Sequence, residues 1–239
     1  MDAQIERLAS AIVEEAARKQ SKAKCEQARF LVGIAGRAGS GKTRVAERLV
    51  EQLNRIGEDA GCRAMASREI GRVRGWYAAH GSGIPDPVLA HARRGSPETF
   101  DAKAYGRFLN NLVGLGTAIE APTFSHSLKD PVEGGMRIES EVSIVVLEGL
   151  YTLYTETEDW ARACEKMDFK VFLSVSESVS KARLIRRHVN SGICSDEIEA
   201  EQRVEENDLP NGRRLMRYLS AKDWVLESVE DPLMMSEMA

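Results

Sequence analysis

Eight consecutive residues, Gly36-Arg37-Ala38-Gly39-Ser40-Gly41-Lys42-Thr43, fit the pattern GxxxxGK(S/T) at every required position. The residue types point to phosphate chemistry. Glycine allows turns tight enough for successive backbone N–H groups to converge on phosphate oxygens, and a helix starting near Lys42 adds the positive end of its dipole. In such a loop Lys42 reaches the β- and γ-phosphates, and the Thr43 hydroxyl is offered to Mg2+. A second chemical element is Ser143-Ile144-Val145-Val146-Leu147-Glu148, an apolar run ending in a carboxylate. At the carboxyl edge of a parallel sheet, Glu148 would stand beside the phosphate loop, able to hold magnesium or accept a proton. The third is basic. Arg183, Arg186 and Arg187 fall at helical spacing on one side of a helix. They read either as a solvated face or as a lid neutralising a transferring phosphoryl group.

Elements that could position these groups follow from hydrophobic periodicity. Residues 4–28 place Ile5, Leu8, Ile12 and Ala16 at steps of three or four, an amphipathic helix. Phe30 to Ala35 is a strand buried on both faces, and Arg44 to Ile56 is a helix with Val45, Leu49, Leu53 and Ile56 on one side. Strand, glycine loop and helix therefore follow one another. A second strand is expected near Cys62 to Ser67, a helix over Asp101 to Val113 capped by Thr99 or Asp101, and strands at Val142–Leu147 and Phe169–Leu173. Helix is expected over 177–217 with breaks near Gly192 and at Pro210-Asn211-Gly212, and a last strand at Trp224–Leu226. Alternating strands and helices imply an α/β fold, a doubly wound and mostly parallel sheet with helices on both faces. The expected organisation is one domain over 1–239 built around the phosphate loop. It contains an N-terminal helix (1–28), a substrate-side excursion (66–97) and a helical lid region (177–217).

Composition narrows the class. With 43% hydrophobic and 29% charged residues the chain can bury a core, and a net charge of −4 argues against bulk attraction to nucleic acid. Cys25, Cys62, Cys164 and Cys194 are scattered, with no CxxC pair, so reduced thiols are expected. The first 20 residues carry acidic side chains and no apolar h-region, and no apolar run approaches the roughly 20 residues of a membrane span. The expected location is cytoplasmic, with no membrane partner. GTPases are disfavoured. The nearest approach to (N/T)KxD is Glu165-Lys166-Met167-Asp168, and DxxG does not occur. There is no LSGGQ-like transporter signature, which leaves small-molecule kinases as the best class.

Six blocks carry a resemblance: GRAGSGKT, ARRGSPETFD, APTFSHSLKDPVEGG, VVLEGLYTLY, RLIRRHVNSGI and VEENDLPNGR. Together they resemble the phosphoribulokinase, uridine kinase and pantothenate kinase family of P-loop kinases, in its nucleoside, sugar or glycerate kinase branch, over roughly residues 30 to 215. The resemblance implies ATP-dependent transfer of the γ-phosphoryl group to a hydroxyl of a small metabolite. By this resemblance, nucleotide would meet Gly36, Ala38, Gly39, Ser40, Gly41, Lys42, Thr43, Arg44 and Asn211, with Asn207 near the base. Arg94, Phe100, His126 and Lys129 would line the acceptor pocket, Thr43 and Glu148 would hold Mg2+, and Arg183 and Arg187 would belong to the lid. A homodimer is left open.

One departure stands out. The family ends its second strand with an aspartate, in a block like MDGFH, that accepts the proton of the attacking hydroxyl. Here the stretch reads Arg63-Ala64-Met65-Ala66-Ser67-Arg68-Glu69-Ile70, with Ala66 at the aspartate position if Met65 is aligned, or Trp76 by an ungapped count back from Arg94. Three consequences are open. Glu69 or Glu148 serves as base; or the protein binds and slowly hydrolyses ATP in a regulatory role; or the arginines 68, 72, 74, 93 and 94 form a rebuilt pocket for an anionic acceptor. His80 and His91 read as surface histidines, and Trp76 and Tyr77 as loop anchors.

Overall fold

The computed structural model describes residues 1–22, 28–60, 63–66, 86, 89, 93–114, 116–125 and 130–228. Strand β1, Phe30–Gly36, is buried at every position because its alternate side chains enter two separate cores. Phe30, Val32 and Ile34 face one core, Leu31 and Ala35 the other. β5, Val142–Glu148, divides in the same way, with Ile144 and Val146 on the first side and Val145 and Leu147 on the second. This double burial is why Phe30–Ala35 and Ile144–Leu147 are continuously apolar.

The strands form a parallel five-stranded sheet in the order β2 (Arg63–Ala66), β5, β1, β6 (Phe169–Ser174), β7 (Trp224–Glu227). Two further strands, β3 (Ile119–Ser125) and β4 (Asp130–Ile138), pair antiparallel in a separate ribbon. β1 lies between β5 and β6, so the loop leaving β1 emerges where the chain goes to opposite halves of the sheet, the usual place for a ligand crevice.

Helices α1 (Asp2–Lys22) and α2 (Lys42–Ala60) cover one face. The α1 stripe Ile5, Leu8, Ile12 and Ala16 is buried there with Val45, Leu49 and Leu53 of α2. The other face is covered by α3 (Ala102–Leu112) and α4 (Glu158–Glu165), around Tyr105, Phe108, Tyr151, Tyr154 and Trp160. Asp101 caps α3, its side chain accepting from Ala104 N at 2.8 Å. Helices α5 (Glu177–Asn190), α6 (Glu197–Arg203) and α7 (Leu209–Arg217) complete the chain before β7. No helix among the described residues is long and apolar enough to cross a membrane.

One expectation is corrected. The break after α5 does occur at Gly192, with φ of +65°. No break occurs at Pro210: a π-helical turn over Val204–Asp208 runs directly into α7, and this wider turn stands where the proline ring would otherwise crowd the preceding carbonyls. The antiparallel ribbon was not foreseen, because Pro122, Pro131 and the Gly134-Gly135 pair obscure its alternation.

Candidate active site

The phosphate loop is shaped by three glycines with different reasons for being glycine. Gly39 and Gly41 have φ of +75° and +90°, where a Cβ is strained. Gly36 closes β1, and a Cβ there would lie 2.7 Å from the Leu173 carbonyl oxygen and 2.9 Å from Ser40 Oγ. Ser40 is buried, and its hydroxyl has no hydrogen-bond partner among the described residues.

Every loop carbonyl from Gly36 to Ser40 accepts a hydrogen bond. Lys42 Nζ donates to Gly36 O at 2.9 Å and to Arg37 O at 3.0 Å. Ser180 Oγ donates to Ala38 O at 2.7 Å, and Arg183 to Gly39 O at 3.3 Å. Ser228 Oγ donates to Ser40 O at 2.9 Å and accepts from Arg183 at 2.9 Å. Arg37 itself donates to Glu177 at 2.7 Å, and Arg213 Nε reaches the same carboxylate at 3.1 Å. The Arg213 hydrogen bond is the main reason that the Glu177 pKa lies below the ordinary carboxylate value, with Arg37 adding to it against desolvation.

Thr43 Oγ1 donates to Glu148 Oε1 at 3.0 Å. Glu148, 8% exposed, ends β5 next to β1, and the following N–H, that of Gly149, donates to Ile34 O at 3.0 Å and so fixes the strand end. A hydroxyl with a single carboxylate is a hard oxygen pair of the kind that Mg2+ takes together with phosphate oxygens. No cluster of three or more His, Cys, Asp or Glu suited to a metal occurs among the described residues. Ala66 is registered with Val146, two residues short of Glu148.

The structure therefore brings Gly36 to Thr43, Glu148 and Arg183 together. Arg44 is exposed on α2, and Arg187 is exposed one turn beyond Arg183. Asn211 is buried in the first turn of α7, its Nδ2 donating to Asn207 Oδ1 at 3.4 Å, and Asn207 donates to Arg94 O at 3.0 Å. Phe100 packs edge-on against Tyr151 at 5.3 Å between ring centroids, and the Tyr151 hydroxyl donates to Gly95 O at 2.8 Å. Glu69, His126 and Lys129 lie outside the described residues, as do the arginines at 68, 72 and 74, His80, His91, Trp76 and Tyr77.

Ser180, Ser228 and the Arg37–Glu177–Arg213 bridge were missed in the sequence. A serine in the first turn of a helix is a weak signal, and nothing local marks a serine after an edge strand.

Comparisons with known proteins agree with this geometry. The Phosphoribulokinase / Uridine kinase family matches residues 31–204. A uridine kinase-like protein of Schizosaccharomyces pombe is 31% identical over 210 residues, 85% of each chain. The ATP-dependent kinase-like protein notR' of Aspergillus versicolor is 37% identical over 138 residues, 56% of this chain and 80% of its own. The crystal structure of a protein from Silicibacter sp. TM1040 named for a fructose transport system kinase superposes with a TM-score of 0.75 at 22% identity, covering 93% of this chain and 98% of its own, a likeness of fold alone. This chain belongs to the phosphoribulokinase and uridine kinase family of P-loop kinases.

Proposed function

We propose that the protein transfers the γ-phosphoryl group of ATP to a hydroxyl of a small metabolite of the nucleoside, sugar, glycerate or pantothenate type. The observation that carries this reading is the Thr43–Glu148 hydrogen bond, which joins the loop's hydroxyl to a strand-end carboxylate in a parallel sheet. Lys42 leaves the carbonyls of Gly36 and Arg37 to engage the β- and γ-phosphates. Thr43 and Glu148 hold Mg2+, which when bound offsets charge on the phosphate oxygens. The backbone N–H groups of the loop orient the triphosphate, and exposed Arg187 supplies positive charge toward the transferring group.

Neither alignment, with Ala66 or with Trp76 at the family's aspartate position, supplies a carboxylate there. Phosphoryl transfer through a loose transition state depends more on position and charge than on a strong base, so Glu69 serves as base, or Glu148 does where it meets Mg2+ only through a water. On the acceptor side, Arg94 and Phe100 are the candidates among the described residues, tied to the scaffold through Asn207 and Tyr151, and the resemblance adds His126 and Lys129.

The test is incubation with magnesium ATP and a panel of nucleosides, pantothenate, glycerate, sugars and sugar phosphates, following ADP and phosphorylated product. Phosphorylation of one acceptor class that is lost in Lys42→Ala is the expected result. Tight ATP binding with no acceptor phosphorylated, and basal hydrolysis unchanged in Glu148→Gln, would overturn the kinase reading.

A further inference from the structure

Apart from Lys42, the side chains that donate to the loop carbonyls come from two places far away in the chain, helix α5 and the residue after β7. In a planar trans peptide the carbonyl of one residue and the N–H of the next point in opposite directions. A donor that pins the Ala38 carbonyl outward therefore turns the Gly39 N–H inward, and one that pins Ser40 O turns the Gly41 N–H inward. These are the two glycines with positive φ, whose peptides would otherwise rotate most freely. The Ser40 N–H is meanwhile used within the loop, donating to Arg37 O at 3.2 Å.

The pins differ in permanence. Lys42 must leave the carbonyls of Gly36 and Arg37 when it takes up phosphate, whereas Ser180, Arg183 and Ser228 can stay in place. Ser228 is itself fixed, since its N–H donates to Ser174 O at 2.8 Å at the end of β6. Its hydroxyl is both acceptor from Arg183 and donor to Ser40 O, so one side chain couples the edge of the sheet, helix α5 and the loop.

We infer that Ser180 and Ser228, the latter held by Arg183, are positioning residues for nucleotide binding, holding the carbonyls of Ala38 and Ser40 so that the N–H groups of Gly39 and Gly41 are preorganised for phosphate. Arg183 on this reading acts through the loop rather than on the transferring group. The inference rests on the loop being a nucleotide site, and preorganisation of donors is worth affinity because the ordering is already done before the ligand arrives.

The test uses the full chain and titrates ATP and ADP by calorimetry into wild type, Ser228→Ala, Ser228→Thr and Ser180→Ala, with thermal unfolding of each variant alongside. Loss of the Ser228 hydroxyl is expected to raise Kd about five- to tenfold, equally for ATP and ADP. Threonine, which keeps the hydroxyl, should return Kd to within about twofold of wild type. Backbone amides of Gly39 and Gly41 should exchange hydrogen faster in Ser228→Ala. A lower melting temperature with Kd unchanged for both nucleotides would make the serine merely structural and overturn the inference. If Ser228→Ala does not fold, Ser180→Ala carries the same expectation on Ala38 O, and an unchanged Kd there overturns it. Wild type that binds neither nucleotide would instead overturn the reading of the loop itself.

Discussion

Thr43 and Glu148 stand 105 positions apart in sequence and 3.0 Å apart in space, the threonine hydroxyl donating to the carboxylate across the boundary between β1 and β5. Their meeting follows from topology. β1 and β5 are parallel neighbours with Ile34 registered against Glu148, so the glycine loop and the carboxylate leave the sheet at one edge. A loop alone binds phosphate; a loop with a carboxylate beside its hydroxyl can also hold the cation that phosphoryl transfer needs.

Glu148→Gln keeps the shape and removes the charge. Transfer rate at saturating magnesium ATP is expected to fall by about 10²- to 10³-fold. ATP binding measured without magnesium should stay within about twofold of wild type, because the loop's N–H groups and Lys42 are untouched. Thr43→Ser should remain active and Thr43→Ala should require more magnesium for half-maximal rate. Steady-state assays at varied magnesium check all three.

The glycines provide a contrast within one loop. An alanine Cβ at Gly39 would meet Ser180 O at 3.0 Å and Leu184 Cγ at 3.2 Å, whereas at Gly41 nothing lies within 4 Å. Both substitutions strain a positive φ by about 1–2 kcal/mol. Only Gly39→Ala also displaces the α5 backbone that carries the loop's donors. Stability by urea unfolding should therefore fall in the order wild type, Gly41→Ala, Gly39→Ala, with the last also losing nucleotide affinity more steeply. Equal losses would mean that the packing against α5 is unimportant.

What could be read from the chain and what could not divides along sequence distance. The loop, its flanking strand and helix, and the Glu148 strand end are local patterns whose periodicity and residue types fit their structure. Asp101 as the cap of α3 is local too. Ser228 on Ser40 O joins residues 188 positions apart, and Asn207 on Arg94 O joins residues 113 apart; each depends on how helices settle after β6, which no window reports. Pro210 misled for a physical reason. Proline usually interrupts a helix, yet a π turn just before it widens the backbone ladder and lets the helix continue.

Acid should loosen the anchorage of the loop. Glu177 carries a pKa below its ordinary value of 4.5, chiefly because Arg213 hydrogen-bonds the carboxylate. A carboxylate whose pKa falls on folding stabilises the native state above its unfolded value, and the gain disappears as pH drops through the folded value. Glu177→Gln should thus be less stable than wild type at pH 7, by a margin constant down to about pH 4.5 that closes below it. The margin should also shrink in high salt, since the carboxylate is partly exposed. A margin that is independent of pH from 7 to 3 would rule out the ion pairs as its source.

Arg29 is the largest fully buried side chain among the described residues and bears on the fold rather than the site. It is fully buried, and its guanidinium donates to the carbonyls of Val142 at 3.0 Å, Leu112 at 3.3 Å, Thr117 at 2.7 Å and Glu139 at 3.1 Å, and to that of Gly114. One side chain thereby ties the start of β1 to the end of α3 and the entry to β5. Arg29→Met fills similar volume but takes the guanidinium donors away from these buried carbonyls, of which Glu139 O keeps its bond from the Val142 N–H, and is expected to cost about 3–5 kcal/mol in urea unfolding. Arg29→Lys should recover only part of this, because an ammonium has three donors on one nitrogen and cannot span acceptors that a planar five-donor fork reaches. Arg29 lies at the opposite end of β1 from the loop, about 20 Å away at 3.3 Å per residue. Folded Arg29→Lys should therefore bind ATP as wild type does, and a change in Kd at constant fold would show that strain at the base of β1 reaches the loop.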